Sequence, residues 1–252
     1  MPNVLLLGGT TEASALARLL AERGVRATLS YAGRTEKPRA QPIPVRVGGF
    51  GGAEGLARYL RDEGVTHLVD ATHPFAATMS TNAVAAAKAA NVPLLALTRP
   101  AWAPVEGDRW RHVPDIAGAV AALHGAARRI LLALGRMHVE AFAAAPQHHY
   151  VLRFVDAAPV PPALPDHRLI VDRGPFTPDG DRVLLQTHGI DLVVCKNAGG
   201  TGAEAKLIAA RAIGIPVLMI DRPALPPRAE VTDPKAVLDW LGHAVFPAKR
   251  GV

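Results

Sequence analysis

The sequence has one cysteine, few aromatic residues and no long apolar run. The single thiol, Cys195, excludes an internal disulfide and any cysteine-based metal cluster. Phe, Trp and Tyr make up 5% of the 252 residues, and Lys and Arg are scattered singly. Neither a base-stacking platform nor a dense basic groove for nucleic acid is expected from that pattern. No apolar stretch approaches the roughly 20 residues of a membrane-spanning helix. The start, Met1-Pro2-Asn3-Val4-Leu5-Leu6-Leu7-Gly8, lacks the basic region of an export signal and reads as a buried strand. The ten histidines show no metal-ligand spacing, and His148-His149 reads as a surface loop pair, so no metal is expected. These absences leave a cytoplasmic protein with no nucleic-acid or membrane partner.

What is present is an ordinary globular balance, 49% hydrophobic and 20% charged. The formal net charge of +6 favours an anionic partner, and a polyanionic small molecule fits better than nucleic acid. Abundant Ala, Arg and Pro are also what a GC-rich genome produces, which tempers the weight of that charge.

Short apolar runs alternate with helical patterns, the signature of βα units on a parallel sheet. Strands are expected at Val4–Leu7, Ala27–Tyr31, Pro44–Val47, His67–Ala71 and Pro93–Leu97, with helices near Thr11–Arg23, Ala53–Glu63 and Phe75–Ala90. The second half offers strands at Ile130–Leu134, Tyr150–Val155, Leu169–Asp172, Leu192–Lys196 and Val217–Ile220, and helices at Gly202–Ile213 and Pro234–His243.

The halves resemble one another. Asn91-Val92-Pro93-Leu94-Leu95-Ala96-Leu97-Thr98-Arg99-Pro100 runs parallel to Gly214-Ile215-Pro216-Val217-Leu218-Met219-Ile220-Asp221-Arg222-Pro223. His67-Leu68-Val69-Asp70 matches Asp191-Leu192-Val193-Val194, which aligns Thr72 with Lys196 and His73 with Asn197. A short strand and an Asp-led helix, at Asp115 and Asp233, follow each Arg-Pro. The predicted architecture is α/β: two Rossmann-like domains, 1–125 and 126–252, with parallel sheets flanked by helices and arising by internal duplication. The boundary is expected near Gly125–Arg129. Ligands of such sheets bind at the carboxyl ends of strands, so two facing domains would form a cleft.

Five turns carry candidate chemistry. Gly8-Gly9-Thr10-Thr11 joins the first strand to a helix, and its glycines and helix N-terminus suit a phosphate, with Thr10 and Thr11 adding hydroxyls. A plain strand-to-helix turn competes, because the full dinucleotide fingerprint is absent. Arg34, after the second strand, stands where an arginine accommodates the 2′-phosphate of NADP; a solvated loop arginine is the alternative. Gly48-Gly49-Phe50-Gly51-Gly52 packs glycines around an aromatic, as close backbone approach to a nucleotide requires, although a tight structural turn would do the same. Asp70, Thr72 and His73 gather a carboxylate, a hydroxyl and an imidazole at a strand end, where Asp70 could also merely cap the turn. Their counterpart is Lys196-Asn197-Ala198-Gly199-Gly200, a second glycine-rich anion candidate. Cys195 reads as a buried thiol.

Taken in order, Leu7–Glu12, Gly33-Arg34-Thr35, Val47–Gly52, Asp70–Ala76, Leu134-Gly135-Arg136, Lys196–Gly200 and Ala205-Lys206 resemble the precorrin-6A reductase family. The resemblance implies NADPH-dependent reduction of precorrin-6A to precorrin-6B in cobalamin biosynthesis. Hydride from the nicotinamide would add to one carbon of a ring-contracted tetrapyrrole. It implies cofactor contacts from Gly8, Gly9, Thr10, Thr11, Arg34, Thr35, Gly48, Gly49, Phe50, Thr72, Asn197, Gly199 and Gly200. Asp70, His73 and Lys196 become the catalytic candidates, with His73 the first proton donor to test. Arg99, Arg136, Lys206 and Arg222 become candidate clamps for substrate carboxylates, since guanidinium groups bind them bidentately. Neighbouring enzymes of the pathway are candidate partners. A nucleotide-sugar-type transferase and a non-catalytic two-lobed binding protein remain the competing functions.

Overall fold

The computed structural model describes residues 1–33, 40–156, 160 and 162–245. In chain order the elements are β1 (Asn3–Leu7), α1 (Thr11–Glu22), β2 (Arg26–Tyr31), β3 (Val45–Val47), α2 (Gly52–Asp62), β4 (His67–Asp70), α3 (Ala77–Ala90) and β5 (Leu94–Leu97). There follow β6 (Trp110–Val113), α4 (Ile116–Ala121), β7 (Arg129–Ala133), a 3₁₀ segment Arg136–Ala144, β8 (His149–Phe154), β9 (His167–Val171) and α5 (Pro178–Thr187). The chain ends with β10 (Leu192–Lys196), a 3₁₀ turn Thr201–Ala203, α6 (Ala205–Ala212), β11 (Val217–Ile220), β12 (Glu230–Val231) and α7 (Pro234–Val245).

Two six-stranded sheets result, ordered β12-β5-β4-β1-β2-β3 and β6-β11-β10-β7-β8-β9, with every pairing parallel. Read from the other edge, each is the doubly wound Rossmann order 3-2-1-4-5-6. The sixth strand is exchanged. β6 follows β5 in sequence yet pairs with β11, and β12 follows β11 yet pairs with β5. The compact units are therefore Met1–Pro100 with Ala224–Val252, and Ala101–Pro223, in place of the expected division near 125. The linkers explain this. A parallel neighbour in the same sheet needs a crossover of a dozen or more residues, usually a helix. Residues 98–109 and 221–229 contain no helix and are punctuated by Pro100, Pro104, Pro223, Pro226 and Pro227.

In the first unit, β1 splits its side chains between two cores. Val4 and Leu6 pack with Leu16 and Leu20 of α1 and with Val237 and Leu241 of α7. Leu5 and Leu7 pack with Leu56 and Leu60 of α2 and with Ala83 and Ala86 of α3. In α1 the buried positions Ala13, Leu16, Ala17 and Leu20 follow the 3.6-residue period. β4 and β11 are buried along their whole length; β11 is accordingly an apolar run without alternation, while β4 carries the buried polar residues His67 and Asp70 at its ends.

The second unit repeats the topology with two departures. Where α1 follows β1, only the 3₁₀ segment Arg136–Ala144 follows β7. The internal alignment also slips by one residue. The Asn3 N–H donates to Thr66 Oγ1 at 2.8 Å, and the Arg129 N–H donates to Asp191 Oδ2 at 3.0 Å, so Thr66 and Asp191 are equivalent. Strand registers agree: Asp70 pairs with Ala96 and Cys195 with Met219. Lys196 thus corresponds to Ala71 and Asn197 to Thr72. Runs of Leu and Val look alike at either offset, which is how the sequence alignment slipped. Among the described residues no helix is long and apolar enough to cross a membrane.

Candidate functional site

In the first sheet β1 and β4 are neighbours whose following connections lead in opposite directions, to β2 on one side and β5 on the other. This is the topological switch point where doubly wound sheets bind ligands. The turn after β1 is tight at Gly8, where a Cβ would stand 2.4 Å from Leu29 Cδ1. It is open at Gly9, whose φ is +126° and where a Cβ would meet nothing within 4 Å. Thr10 is the N-cap of α1. Its hydroxyl accepts from the Ala13 N–H at 3.1 Å and donates its proton to the Ala71 carbonyl at 2.8 Å. Thr10 therefore shapes the turn. The first-turn N–H groups of Thr11 and Glu12 have no preceding carbonyl in the helix to bond, and the helix dipole favours an anion there. A close backbone approach, an open face and a helix N-terminus together fit a dinucleotide phosphate.

At the end of β4, Asp70 is buried. Its Oδ1 accepts from the Thr72 N–H at 3.1 Å and from the Thr72 hydroxyl at 2.7 Å. Its Oδ2 accepts from Arg228, a buried guanidinium that also reaches Glu230 at 3.0 Å. With both oxygens engaged, Asp70 holds the turn. Thr72, its hydroxyl proton given to Asp70, is held with it. His73 follows, and its Nδ1 accepts from the Phe75 N–H at 3.2 Å. In the neutral ring Nε2 therefore carries the proton and is the donor. The Ala76 N–H closes the turn on the His73 carbonyl at 2.7 Å, so α3 starts at Ala77, later than the sequence pattern implied.

The loop after β3 is organised by Arg46. Its guanidinium donates to Ser30 Oγ at 3.0 Å, to the Gly48 carbonyl at 2.9 Å and to the Gly49 carbonyl at 3.2 Å. It lies 3.8 Å from the centroid of Phe50 and 5.1 Å from that of Tyr59. The loop folds back on α2 because position 55 is glycine: a Cβ there would stand 1.7 Å from the Phe50 carbonyl oxygen. Phe50 is thereby a packing partner of Arg46 and Tyr59. Arg34 and Thr35 lie outside the described residues. Arg99 pairs with Glu12 at 3.3 Å, with both side chains mostly buried, which ties β5 to the start of α1.

The second unit's turn is occupied by its own chain. The Trp102 N–H donates to Asn197 Oδ1 at 2.8 Å, and Asn197 Nδ2 donates to the Trp102 carbonyl at 3.0 Å. The Trp102 indole N–H donates to the Gly200 carbonyl at 2.9 Å. Arg222 donates to the carbonyls of Asn197 and Ala198 at 3.0 and 3.1 Å. Lys206 is buried, donates to the Ala203 carbonyl, and sits 4.8 Å from the Trp102 ring centroid. Burial pulls its pKa below the ordinary lysine value, and burial likewise pushes the Cys195 thiol up. Lys196, at the end of β10, is only half-buried. Arg136 is exposed and donates to the Asp156 carbonyl at 3.3 Å.

The family model described as Precorrin-6x reductase CbiJ/CobK matches residues 3–242. The chain belongs to this family. It is 56% identical to the precorrin-6A reductase of Rhodobacter capsulatus over 253 residues, with 100% of each chain covered. It is 30% identical to the cobalt-precorrin-6A reductase of Synechocystis, covering 98% of each. A solved structure of CobK precorrin-6A reductase superposes with a TM-score of 0.93 over 100% of both chains at 56% identity.

Within this CbiJ/CobK chain the sequence-predicted residues separate by environment. Gly8, Gly9, Thr11, Thr72 and His73 do gather at the β1–β4 switch point. Asn197, Gly199 and Gly200 form one turn, but the side chain of Asn197 and the carbonyl of Gly200 are used by Trp102. Of the expected carboxylate clamps, Lys206 is buried under an indole and Arg222 donates to two main-chain carbonyls. Arg46, Arg228 and Trp102 escaped the sequence reading. Arg46 had a faint signal, a charged residue between two valines on a strand. Trp102 had its place just after Arg99-Pro100. Arg228 had none, since its partner is 158 residues away.

Proposed function

We propose that this chain is a precorrin-6A reductase of cobalamin biosynthesis that uses NADPH. Its end-to-end 56% identity to the Rhodobacter capsulatus precorrin-6A reductase is the observation that carries the reading. Relatives named precorrin-6A reductase reach 56%, 48% and 46% identity, whereas those named cobalt-precorrin-6A reductase stand at 30% and 29%. We therefore assign metal-free precorrin-6A as substrate, with a cytoplasmic setting.

The dinucleotide would lie at the β1–β4 switch point, with its phosphates over Gly8, Gly9 and the N-terminus of α1. Gly48 and Gly49 border the adjacent strand end, and Arg34 and Thr35 are assigned to the adenosine side. The bound nicotinamide supplies the hydride. A proton must reach the neighbouring carbon, and the Nε2–H of the neutral His73 ring is assigned to hydrogen-bond and orient the water or substrate carboxylate that delivers it. Asp70 serves by fixing Thr72 and so the backbone that presents His73. Lys196 and Arg136 are the cations assigned to substrate carboxylates, with Arg99 held in reserve by Glu12. Much of the rate would come from orientation and charge placement, because the cofactor carries the difficult chemistry.

The test is turnover of purified protein with NADPH and either metal-free or cobalt-loaded precorrin-6A. NADPH oxidation coupled to a two-hydrogen mass gain in the metal-free macrocycle is expected. NADPH binding without reduction of either substrate would overturn the assignment.

A further inference from the structure

We infer that Arg46 is a fixed cation that reads the 2′-phosphate of the cofactor, an inference that rests on the NADPH reading above. In doubly wound sheets the carboxyl end of the second strand faces the adenosine ribose, and a nearby arginine accommodates a 2′-phosphate where a carboxylate would select the free hydroxyl. Arg46 stands at that edge. It is on β3, its guanidinium is bonded to Ser30 on β2, and Gly48 in its loop donates its N–H to the Tyr31 carbonyl at 2.9 Å. The described residues closing β2, Tyr31, Ala32 and Gly33, include no carboxylate.

The guanidinium is also preorganised. Three of its five N–H donors are taken, by Ser30, Gly48 and Gly49, and its carbon lies 3.8 Å from the Phe50 ring centroid. Two donors remain among the described residues, and the side chain is only half-buried. None of the three acceptors carries a charge, so the cation is uncompensated by them. A planar, positioned guanidinium with donors to spare is what bidentate phosphate recognition uses. The glycines of 48, 49, 51 and 52 gain a purpose beside it, since at each a Cβ would meet nothing within 4 Å and a nucleotide can approach the backbone.

A purely structural Arg46 would tie the loop together and affect every nucleotide alike. Calorimetric titration separates the two roles, with NADPH, NADH, 2′,5′-ADP and ADP as probes on wild-type protein, Arg46→Met and Arg46→Gln. Gln retains a donor for the loop carbonyls without the charge. For both variants, NADPH and 2′,5′-ADP should bind about 10- to 100-fold more weakly, the range for losing a charged hydrogen bond. NADH and ADP should change by less than about threefold. If the phosphate-bearing and phosphate-free probes weaken equally in Arg46→Gln, or none weakens, Arg46 is loop scaffold and the inference fails. If wild-type protein itself binds NADH as tightly as NADPH, the NADPH reading fails, an outcome visible before any variant is made.

Discussion

Arg228 donates to the Asp70 carboxylate across 158 residues of sequence, and both side chains are buried, 8% and 1% exposed. The exchanged segment that carries β12 therefore delivers a cation to the end of β4, where the His73 turn begins. Breaking a buried pair by removing one partner leaves an uncompensated charge, which costs about 3–5 kcal/mol. Arg228→Ala should lose stability of that order in urea unfolding. Asp70→Asn with Arg228→Ala should lose less than the two single losses combined. Strict additivity would show that the two groups do not act as a pair.

Thr10 offers a smaller and cleaner test. Its hydroxyl caps α1 through Ala13 and bonds the Ala71 carbonyl, so Thr10→Ala should cost about 0.5–2 kcal/mol. Thr10→Ser keeps both bonds and should stay within about 0.5 kcal/mol of wild type. Thermal denaturation of the two variants reads the difference. A serine variant as unstable as the alanine one would mean that the methyl group, not the hydroxyl, matters.

The sequence was a good guide where local pattern determines local structure. Strand and helix positions in the first half followed from period and capping, because β1, β4 and α1 fold as their own residues dictate. It was a poor guide where partners come from afar. Nothing near Trp110 or Glu230 announces that β6 and β12 change sheets; only the helix-free linkers hint at it. α5 was overlooked although Thr177 and Pro178 form an N-cap and first turn. Asn197 and Lys206 had the right chemistry for a site, yet Trp102 is what they touch. A polar residue at a strand end is legible in sequence, but which polar group satisfies it is not.

Lys206 has a consequence that depends on pH. Burial lowers its pKa from 10.5, so between the lowered folded value and 10.5 the unfolded chain binds more protons than the folded one. Stability contributed by this group rises with pH across that window, and the full penalty applies below it. Lys206→Met should thus be more stable than wild type at neutral pH, and the gap should narrow as pH approaches 10.5. Chemical unfolding at several pH values checks the sign. A gap that widens with pH would mean that the ammonium is stabilised by Ala203 and Trp102 by more than burial costs it.

Lys196 should behave differently from its buried neighbour. It is half-buried at the strand end, while Lys206 sits under an indole. Lys196→Ala should raise KM for the tetrapyrrole or lower kcat by about tenfold, the effect of losing one charge-assisted contact of roughly 1.4 kcal/mol. NADPH affinity should be unchanged. Wild-type turnover in Lys196→Ala would mean that Lys196 takes no part in the reaction.

His73 carries the sharpest prediction about chemistry. The Phe75 N–H bonds Nδ1, which leaves Nε2 as the protonated nitrogen of the neutral ring. If that N–H serves the transition state, removing it should lower kcat while leaving KM near wild type. A preorganised donor that serves the transition state is worth about 10²–10³ in rate. His73→Ala tests the loss. His73→Asn is the informative companion, because its side chain can still accept from the Phe75 N–H while offering no imidazole proton. Both variants should bind NADPH as wild type does, since the phosphates are assigned to Gly8, Gly9 and α1. A structural role predicts the reverse ordering: Asn would restore activity that Ala loses, because the turn alone would matter. A role for the imidazole N–H in the transition state predicts that Asn and Ala are equally slow. Steady-state kinetics at saturating NADPH with varied substrate, after circular dichroism shows each variant folded, decides between them. Unchanged kcat in His73→Ala would mean that proton delivery does not involve His73.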